Sequence, residues 1–296
     1  MRDCIAIRTY TWGADEDRLV GELSPVFGDD LFVAFHNRPE GVTPPVPVAD
    51  FDDDWVRSNG LRLLDDYGWR CGDYALYALR RKFPDYDRYW LIEPDVSIHG
   101  DIAGFFAGAA RLDPDALGVD FHRQEQVNRF VKGLPDNLVP YRATFALTRF
   151  SGRALDYLFA ARQDYSGKGT GSHRFTNDET FCFSHLVAHP GFTAGGLREA
   201  LPEWFGLGLF DTDPDLLKCA VAARTGGRNQ VCHPVREFDS FSGAVSKRIA
   251  ANAHGFLKNM GLSFAHMSDA EIEALAQGVA RRLREIGHQI RREHGA

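Results

Sequence analysis

The sequence predicts an α/β protein with a mostly parallel sheet and helices packed on its faces. Short apolar runs alternate with amphipathic stretches over the first hundred residues, which is the pattern of parallel strands joined by helical crossovers. The 296 residues are 44% hydrophobic and 12% aromatic. A chain of this length buries roughly three quarters of its surface, so a large core can form. This composition excludes disordered, collagen-like and disulfide-scaffold proteins.

The first part of the chain predicts a strand, a helix, a second strand and a loop. Residues 4–9 are an apolar run with β-branched side chains, and residues 31–35 form a second such run. Between them, residues 15–23 have a helical pattern. Residues 39–54 are rich in Pro and Asp, which favours a loop that contains at most a short strand over 46–49.

The next elements predicted are two helices and a strand. Residues 55–66 suit a helix, and Gly68 would prevent the helix from continuing to Trp69. Residues 72–83 form an amphipathic pattern that ends in three basic residues, Arg80 to Lys82, and such residues complement the dipole of a helix C-terminus. Residues 89–92 are the most strand-like tetrapeptide in the chain.

The remaining residues predict a mixed region followed by helices. Residues 103–145 suit a helix, a loop and the beginning of a further strand at about 143–148. Ser151 can cap a helix over 151–163, in which apolar side chains share one face. After about residue 239 the pattern is mostly helical. No internal repeat or low-complexity linker interrupts the chain.

Charge and cysteine content restrict the class of protein. The chain has 34 Lys and Arg against 41 Asp and Glu, a net charge of −7, which argues against a general nucleic-acid binder. The five cysteines are an odd number without CxxC spacing, so we expect reduced thiols. The sequence shows neither a bilayer-length apolar run nor a signal-peptide pattern. We therefore expect a cytoplasmic location.

Two acidic residues follow the strand over 89–92 directly, in the segment Glu93-Pro94-Asp95. They are expected at the carboxyl end of that strand, where open α/β sheets bind ligands. Paired carboxylates are hard oxygen ligands for Mg²⁺ or Mn²⁺, which in turn grip substrate phosphates. On spacing alone, a solvated acidic turn at the end of the strand is the favoured interpretation, because such turns are the commoner arrangement.

Short motifs occur in four segments of the chain, residues 8–10, 87–96, 177–179 and 232–234. Together they resemble the motifs of the GT-A-fold glycosyltransferases. Residues 87–96 resemble the strand that carries their DxD motif, with Glu93 in the first acidic position. Three more segments occur in the order that the superfamily uses: its nucleotide-contacting first strand, its acidic motif at the head of the acceptor-side helix, and its late metal-site histidine. They are Arg8-Thr9-Tyr10, Asn177-Asp178-Glu179 and Cys232-His233-Pro234.

The resemblance, which covers residues 4–235 in outline, implies the fold and the domain organisation. We expect a Rossmann-like GT-A fold, with a mixed, mostly parallel central sheet flanked by helices, over residues 1–238. Residues 239–296 would be a helical C-terminal extension packed on the same domain.

The resemblance also implies the activity. The chain would move a sugar from a nucleotide-diphosphate donor to a hydroxyl acceptor such as a surface polysaccharide or a lipid-linked glycan. Glu179 or Asp178 would be the general base. A metal ion, Mn²⁺ or Mg²⁺, would be held by Glu93, Asp95 and His233. His233 is, without the resemblance, more simply a structural histidine.

Donor binding is expected from residues on several elements. Gly72 would allow close backbone approach, and Asp73 would accept hydrogen bonds from ribose or sugar hydroxyls, although it also suits an ordinary helix start. Tyr10 also suits packing. The full set expected at the donor is Arg8, Thr9, Tyr10, Arg70, Gly72, Asp73, Glu93, Asp95 and Lys168.

Two other functions and one further partner stay open. Asp95 and Asp101 with histidines could form a metal-dependent phosphoester hydrolase, and a chain that kept the fold could bind nucleotide sugars without turnover. Basic residues over 281–292 suit peripheral contact with an anionic membrane, but a solvated helix face is the favoured explanation.

Overall fold

The computed structural model describes residues 1–126, 131–168, 175–251 and 261–293, and it shows an α/β protein. Two compact units are present. The first comprises Met1–Pro94 and Ile102–Pro202, and the second comprises Asp95–Asp101 and Glu203–Ala296.

The strands are short and lie in both units. They are β1 (Asp3–Thr9), β2 (Leu31–His36), β3 (Val48–Phe51), β4 (Arg88–Ile92), β5 (Ser97–His99), β6 (Ala116–Arg123), β7 (Tyr141–Ser151), β8 (Ala194–Gly196), β9 (Leu216–Leu217), β10 (Gln230–Cys232) and β11 (Val235–Arg236). The helices are α1 (Ala14–Phe27), α2 (Asp53–Ser58), α3 (Tyr67–Arg70), α4 (Asp73–Lys82), α5 (Ile102–Ala110), α6 (Gly152–Gly167), α7 (Asp178–Ala188), α8 (Leu197–Ala200), α9 (Lys218–Thr225), α10 (Phe238–Ala251), α11 (Gly261–Phe264) and α12 (Asp269–Glu293).

The first unit is built on a mixed, mostly parallel sheet, as the sequence predicts. Its order is β3-β2-β1-β4-β7-β6-β8. Strands β3, β2, β1 and β4 run parallel, β7 is antiparallel to β4 and β6, and β8 is parallel to β6. The chain passes from β1 to β2 on one side and later to β4 on the other. The carboxyl ends of β1 and β4 therefore flank a topological switch point, where such sheets bind ligands.

The core of this unit lies on both faces of the sheet. Every residue of β4 is buried, and so are residues 4–9 of β1, as expected where helices cover both faces. Cys4 and Ala6 join the cluster that contains Tyr74 of α4. Ile5 and Ile7 point to the opposite face because successive side chains of a strand alternate.

The predicted strands and the helices over 72–83 and 151–163 are confirmed, and Ser151 caps α6 by accepting from the Ala154 N–H at 3.2 Å. The predicted helix over 55–66 is wrong. Helix α2 ends at Ser58, because Gly60 adopts a φ of +66° that cannot continue a right-handed helix.

The second unit contains two small sheets and most of the C-terminal helices. Strand β5 pairs antiparallel with β10, and β9 pairs parallel with β11. Phe241, Val245 and Leu275 pack together between α10 and α12. The predicted boundary at residues 238 and 239 coincides with the start of α10 and lies inside this unit. No helix within the described ranges has the length and apolar character needed to cross a bilayer.

Candidate functional site

Arg8 lies near the end of β1 and links several predicted site residues of the first unit. Its Nη1 donates to Glu93 Oε1 at 2.8 Å and lies 3.8 Å from Asp178 Oδ2. Its Nη2 donates to the carbonyl of Gly68 at 2.6 Å. The guanidinium thus neutralises carboxylates from the end of β4 and the start of α7 in a largely buried position. Of the expected set, Arg8, Glu93 and Asp178 lie together.

Gly72 allows the close contact that the sequence predicts, but the groups that approach it are side chains of the protein. Its N–H donates to Asp178 Oδ2 at 2.6 Å. A Cβ atom at this position would lie 2.2 Å from Arg8 Nη1 and 2.6 Å from Asp178 Oδ2. Only glycine therefore fits between α3 and α4.

The predicted acidic motif lies at the start of α7. Asn177 caps this helix, since its Oδ1 accepts from the Thr180 N–H at 3.2 Å. The Glu179 N–H donates to Asp178 Oδ1 at 2.7 Å. The two neighbouring carboxylates consequently have different surroundings, and each must be considered separately as a base.

Asp178 is buried, and backbone groups hold both of its carboxylate oxygens. Burial raises the pKa of Asp178 well above its usual range, Arg8 opposes that shift, and the nearby carboxylate of Glu179 adds to it. The side chain is 5% exposed. Its carboxyl group is thus enclosed by groups of the protein itself.

Glu179 is more accessible, at 17% side-chain exposure, and has a cationic partner. Arg142 Nη2 lies 3.0 Å from its Oε2, and the Phe145 N–H donates to its Oε1 at 3.3 Å. Burial raises the pKa of Glu179 above its usual value, and the charge of Arg142 opposes this shift. Sequence reasoning missed Arg142, because a single arginine on β7 carries no motif.

Thr9 and Tyr10 follow the apolar part of β1 and differ in accessibility. The Thr9 hydroxyl is buried and donates to Glu16 Oε1 at 2.6 Å, and the Gly13 N–H donates to Oε2 of the same carboxylate at 3.0 Å. It therefore braces the loop before α1. Tyr10 is 73% exposed, so its ring is available to a ligand.

Arg70 and Lys168, both expected at the donor, pair with acids close by in the chain. Arg70 Nη2 donates to Asp66 Oδ2 at 2.6 Å. Lys168 lies at the end of α6, with its Nζ 2.7 Å from Asp164 Oδ2. Each cation therefore already has an anionic partner four residues away on the chain.

Asp73 is placed differently from the expectation. Its side chain has no exposed surface, and its Oδ2 accepts from Arg162 Nε at 2.7 Å. A carboxylate in the core cannot accept from the hydroxyls of a bound donor. The sequence did not reveal this because its partner lies 89 residues away.

Asp95 and His233 form a second cluster, within the second unit. His233 Nε2 lies 3.4 Å from Asp95 Oδ1, and its Nδ1 lies 2.6 Å from the carbonyl of Asp211. Because a carbonyl only accepts, Nδ1 carries a hydrogen and Nε2 faces Asp95. A histidine oriented by a backbone carbonyl is typical of metal ligands.

The side-chain atoms of this cluster fit the ligands of a divalent cation. Asp95 Oδ1 is buried and has no hydrogen-bond partner among the residues that the structure describes. Burial opposes ionisation of this carboxyl, but the positive charges of protonated His233 and of Arg236 lower its pKa to about 2. An ionised carboxylate oxygen and an imidazole nitrogen suit Mn²⁺, which accepts both kinds of ligand.

Arg236 and a chain of ion pairs support Asp95. Arg236 Nη2 lies 2.8 Å from Asp95 Oδ2, and its Nε donates to Asp215 Oδ1 at 2.7 Å. Arg248 pairs with Asp215 at 2.5 Å and also with Asp213. Sequence reasoning missed these residues, which no short motif connects. The third expected metal ligand, Glu93, belongs to the first unit, and a three-residue metal site stays a prediction.

The sequence matches no protein-family model and no curated protein, but solved structures resemble it. The galactosyltransferase LgtC, in complex with donor and acceptor sugar analogues, is 12% identical, with 75% of this chain and 77% of that chain covered and a TM-score of 0.42. A glycosyltransferase involved in glycosylation of the major capsid of PBCV-1 is 10% identical, with coverages of 78% and 93% and a TM-score of 0.39. A protein named as a glucose-1-phosphate thymidylyltransferase from Bacillus anthracis, solved with sucrose, is 12% identical, with coverages of 66% and 86% and a TM-score of 0.38.

Proposed function

We propose that this chain is a glycosyltransferase that moves a sugar from a nucleotide-diphosphate donor to a hydroxyl acceptor. One observation carries the proposal: Arg8, Glu93 and the acidic start of α7 meet beside the carboxyl ends of β1 and β4. That position is the switch point of the sheet, where α/β proteins bind nucleotides. The motifs that resemble GT-A transferases supply the same residues.

Glu179 is the proposed general base. It is more exposed than Asp178, and its raised pKa makes it a better proton acceptor than an ordinary carboxylate. In the reaction, the acceptor oxygen forms a bond to the anomeric carbon while the bond from that carbon to the donor phosphate breaks. The acceptor proton passes to Glu179, and the nucleoside diphosphate leaves with the bonding electrons.

Asp178 and Arg8 are proposed to hold this base in place. Asp178 accepts from the Glu179 N–H and from the Gly72 N–H, so it joins the start of α7 to the start of α4. Arg8 keeps positive charge beside Asp178 and Glu93. This arrangement limits movement of the catalytic carboxylate, and rigid positioning is a large part of catalytic power.

Asp95 and His233 are the proposed protein ligands of Mn²⁺ or Mg²⁺, and Glu93, two residues before Asp95, is the proposed third. When bound, the ion would neutralise charge on the diphosphate leaving group. Arg236 orients Asp95 by pairing with its other oxygen, and the Asp211 carbonyl orients His233. These contacts leave Asp95 Oδ1 directed toward the imidazole nitrogen.

The remaining proposed donor contacts are Tyr10, Arg70 and Lys168. Tyr10 offers an exposed aromatic face, on which a nucleobase can stack. Arg70 and Lys168 would exchange their present acidic partners for phosphate oxygens. The proposed acceptor is a surface polysaccharide or lipid-linked glycan. A cytoplasmic location, with peripheral membrane contact through basic residues of α12, would suit that acceptor.

Thermal unfolding with UDP or GDP, each with and without Mn²⁺, tests the proposal. We expect a nucleotide to raise Tm, and Mn²⁺ to increase that rise, because ligands that bind only the folded state stabilise it. A rise with simple phosphoesters but with neither nucleotide would contradict the proposal and favour a phosphoester hydrolase. Nucleotide binding without turnover of any nucleotide sugar would identify a non-catalytic binder.

A further inference from the structure

A buried ion pair joins α6 to α4 inside the first unit. Arg162 and Asp73 both have no exposed surface, and Arg162 Nε donates to Asp73 Oδ2 at 2.7 Å. The Arg162 guanidinium also lies 3.6 Å from the centre of the Phe181 ring. The pair is thus enclosed in the core.

Arg162 also holds the backbone that precedes α7. Its Nη1 donates to the carbonyl of Thr176 at 3.0 Å. Tyr165, one turn further along α6, accepts from the Thr176 N–H at 3.1 Å. Side chains of α6 therefore hydrogen-bond both the backbone N–H and the carbonyl of Thr176, which lies two positions before Asp178.

Stability alone does not explain this pair. Asp73 Oδ1 and Arg162 Nη2 are buried without hydrogen-bond partners among the described residues. Replacing a buried ion pair with apolar side chains of similar volume is often neutral or stabilising. A partly satisfied ion pair in the core is therefore more easily explained by the geometry that it imposes.

The two segments held by Arg162 meet at Asp178. Asp73 directly follows Gly72, whose N–H donates to Asp178 Oδ2, and Thr176 lies on the approach to Asp178 from the other side. The Arg162 guanidinium therefore holds both segments that form the hydrogen bond: the one that supplies the Gly72 N–H and the one that supplies the Asp178 carboxylate. A planar group with several donors suits this task better than an ammonium, which is a point charge.

We propose that Asp73 and Arg162 are positioning residues that set the hydrogen bond between Gly72 and Asp178 and thereby the direction of Glu179. The effect on catalysis rests on the proposed function, whereas the effect on the Gly72 hydrogen bond does not. Asp73 thus supports the site from the core instead of contacting the sugar donor.

The test compares the wild type with a double variant, Asp73→Leu with Arg162→Met, and with Arg162→Lys. Amide hydrogen exchange at Gly72 reports its hydrogen bond directly, and thermal unfolding shows that each variant is folded. Arg149→Met is the matched control, because Arg149 is also fully buried and donates to the carbonyls of Ala109 and Leu112.

We expect faster exchange at Gly72 in the folded double variant and, in an active enzyme, a kcat lower by about tenfold to a hundredfold, the cost of a small misplacement. The donor KM should change little. Arg162→Lys should give a smaller effect in the same direction, and it serves alone if the double variant does not fold. Arg149→Met should leave Gly72 exchange and kcat unchanged.

Unchanged protection of Gly72 in a folded double variant, or in Arg162→Lys if only that variant folds, would overturn the proposal. Equal loss of protection in Arg149→Met would do the same, because it would indicate general loosening of the core. Absence of donor turnover in the wild type would instead refute the proposed function while leaving the exchange result interpretable.

Discussion

The backbone N–H of Gly72 and the carboxylate of Asp178 form a hydrogen bond of 2.6 Å across 106 residues of sequence. This bond ties the start of α4 to the start of α7. Since Glu179 is the next residue and donates its own N–H to Asp178, the bond also sets where the proposed base lies.

Gly72→Ala should damage the site. The added methyl group would lie 2.2 Å from Arg8 Nη1 and 2.6 Å from Asp178 Oδ2, so the side chains must move. We expect destabilisation of about 1–3 kcal/mol, measured by denaturant unfolding, together with loss of turnover. Gly21→Ala in α1, where a Cβ meets nothing within 4 Å, should instead be neutral or stabilising. Equal stability of the two variants would contradict this account.

The buried carboxyl of Asp178 should make stability depend on pH. Its pKa is raised by burial, so the folded chain holds the proton more tightly than the unfolded chain. The resulting stability is present below the unfolded pKa and is lost as the pH rises through the folded pKa. The free energy of unfolding of the wild type, relative to Asp178→Asn, should therefore fall as the pH is raised from about 4, the usual pKa of an unfolded aspartate, through the neutral range. A relative rise over this interval would refute the raised pKa.

Removal of Arg142 should shift the pH dependence of turnover. Burial raises the pKa of Glu179 and the cation of Arg142 opposes that shift, so Arg142→Gln should raise this pKa further. The base would then lose its proton at higher pH, and the acidic limb of kcat/KM should move up by about one pH unit. Arg123→Gln, at an exposed position on β6, is the control and should leave the limb in place. A limb that does not move in Arg142→Gln would exclude Glu179 as the titrating base.

The Asp95 and His233 pair should be needed for metal binding. Asp95→Asn and His233→Gln each remove one proposed ligand, so Mn²⁺ affinity should fall by more than about tenfold, as measured by titration calorimetry or by electron paramagnetic resonance of free Mn²⁺. The exposed His266 of the same unit provides the control variant His266→Gln. An Mn²⁺ affinity equal to that of the wild type in both ligand variants would show that the cation binds elsewhere.

The sequence predicted those parts of the fold whose signals are local. Strands β1 and β4 are continuous apolar runs, and α6 begins at a capping serine, so each could be recognised from a few residues. The helix expected over 55–66 failed because Gly60 ends α2 early. Strand β8 was missed since its three residues carry no apolar pattern and acquire strand geometry by pairing with β6.

The candidate site was predictable to a similar extent. Short motifs identified Arg8, Glu93 and Asp178, which the structure brings together. Arg142 and Arg162 were missed, because their importance comes from partners far away in the sequence. Asp73 was assigned to the donor since a sequence does not show which side chain enters the core.

Release of a nucleoside diphosphate from a panel of nucleotide sugars, with Mn²⁺ and a sugar acceptor, tests the central claim most directly. The wild type should release the nucleoside diphosphate from at least one nucleotide sugar. Glu179→Gln should release it about 10²–10⁴ times more slowly, as expected for loss of a general base. Equal rates of release from the wild type and Glu179→Gln would contradict the account.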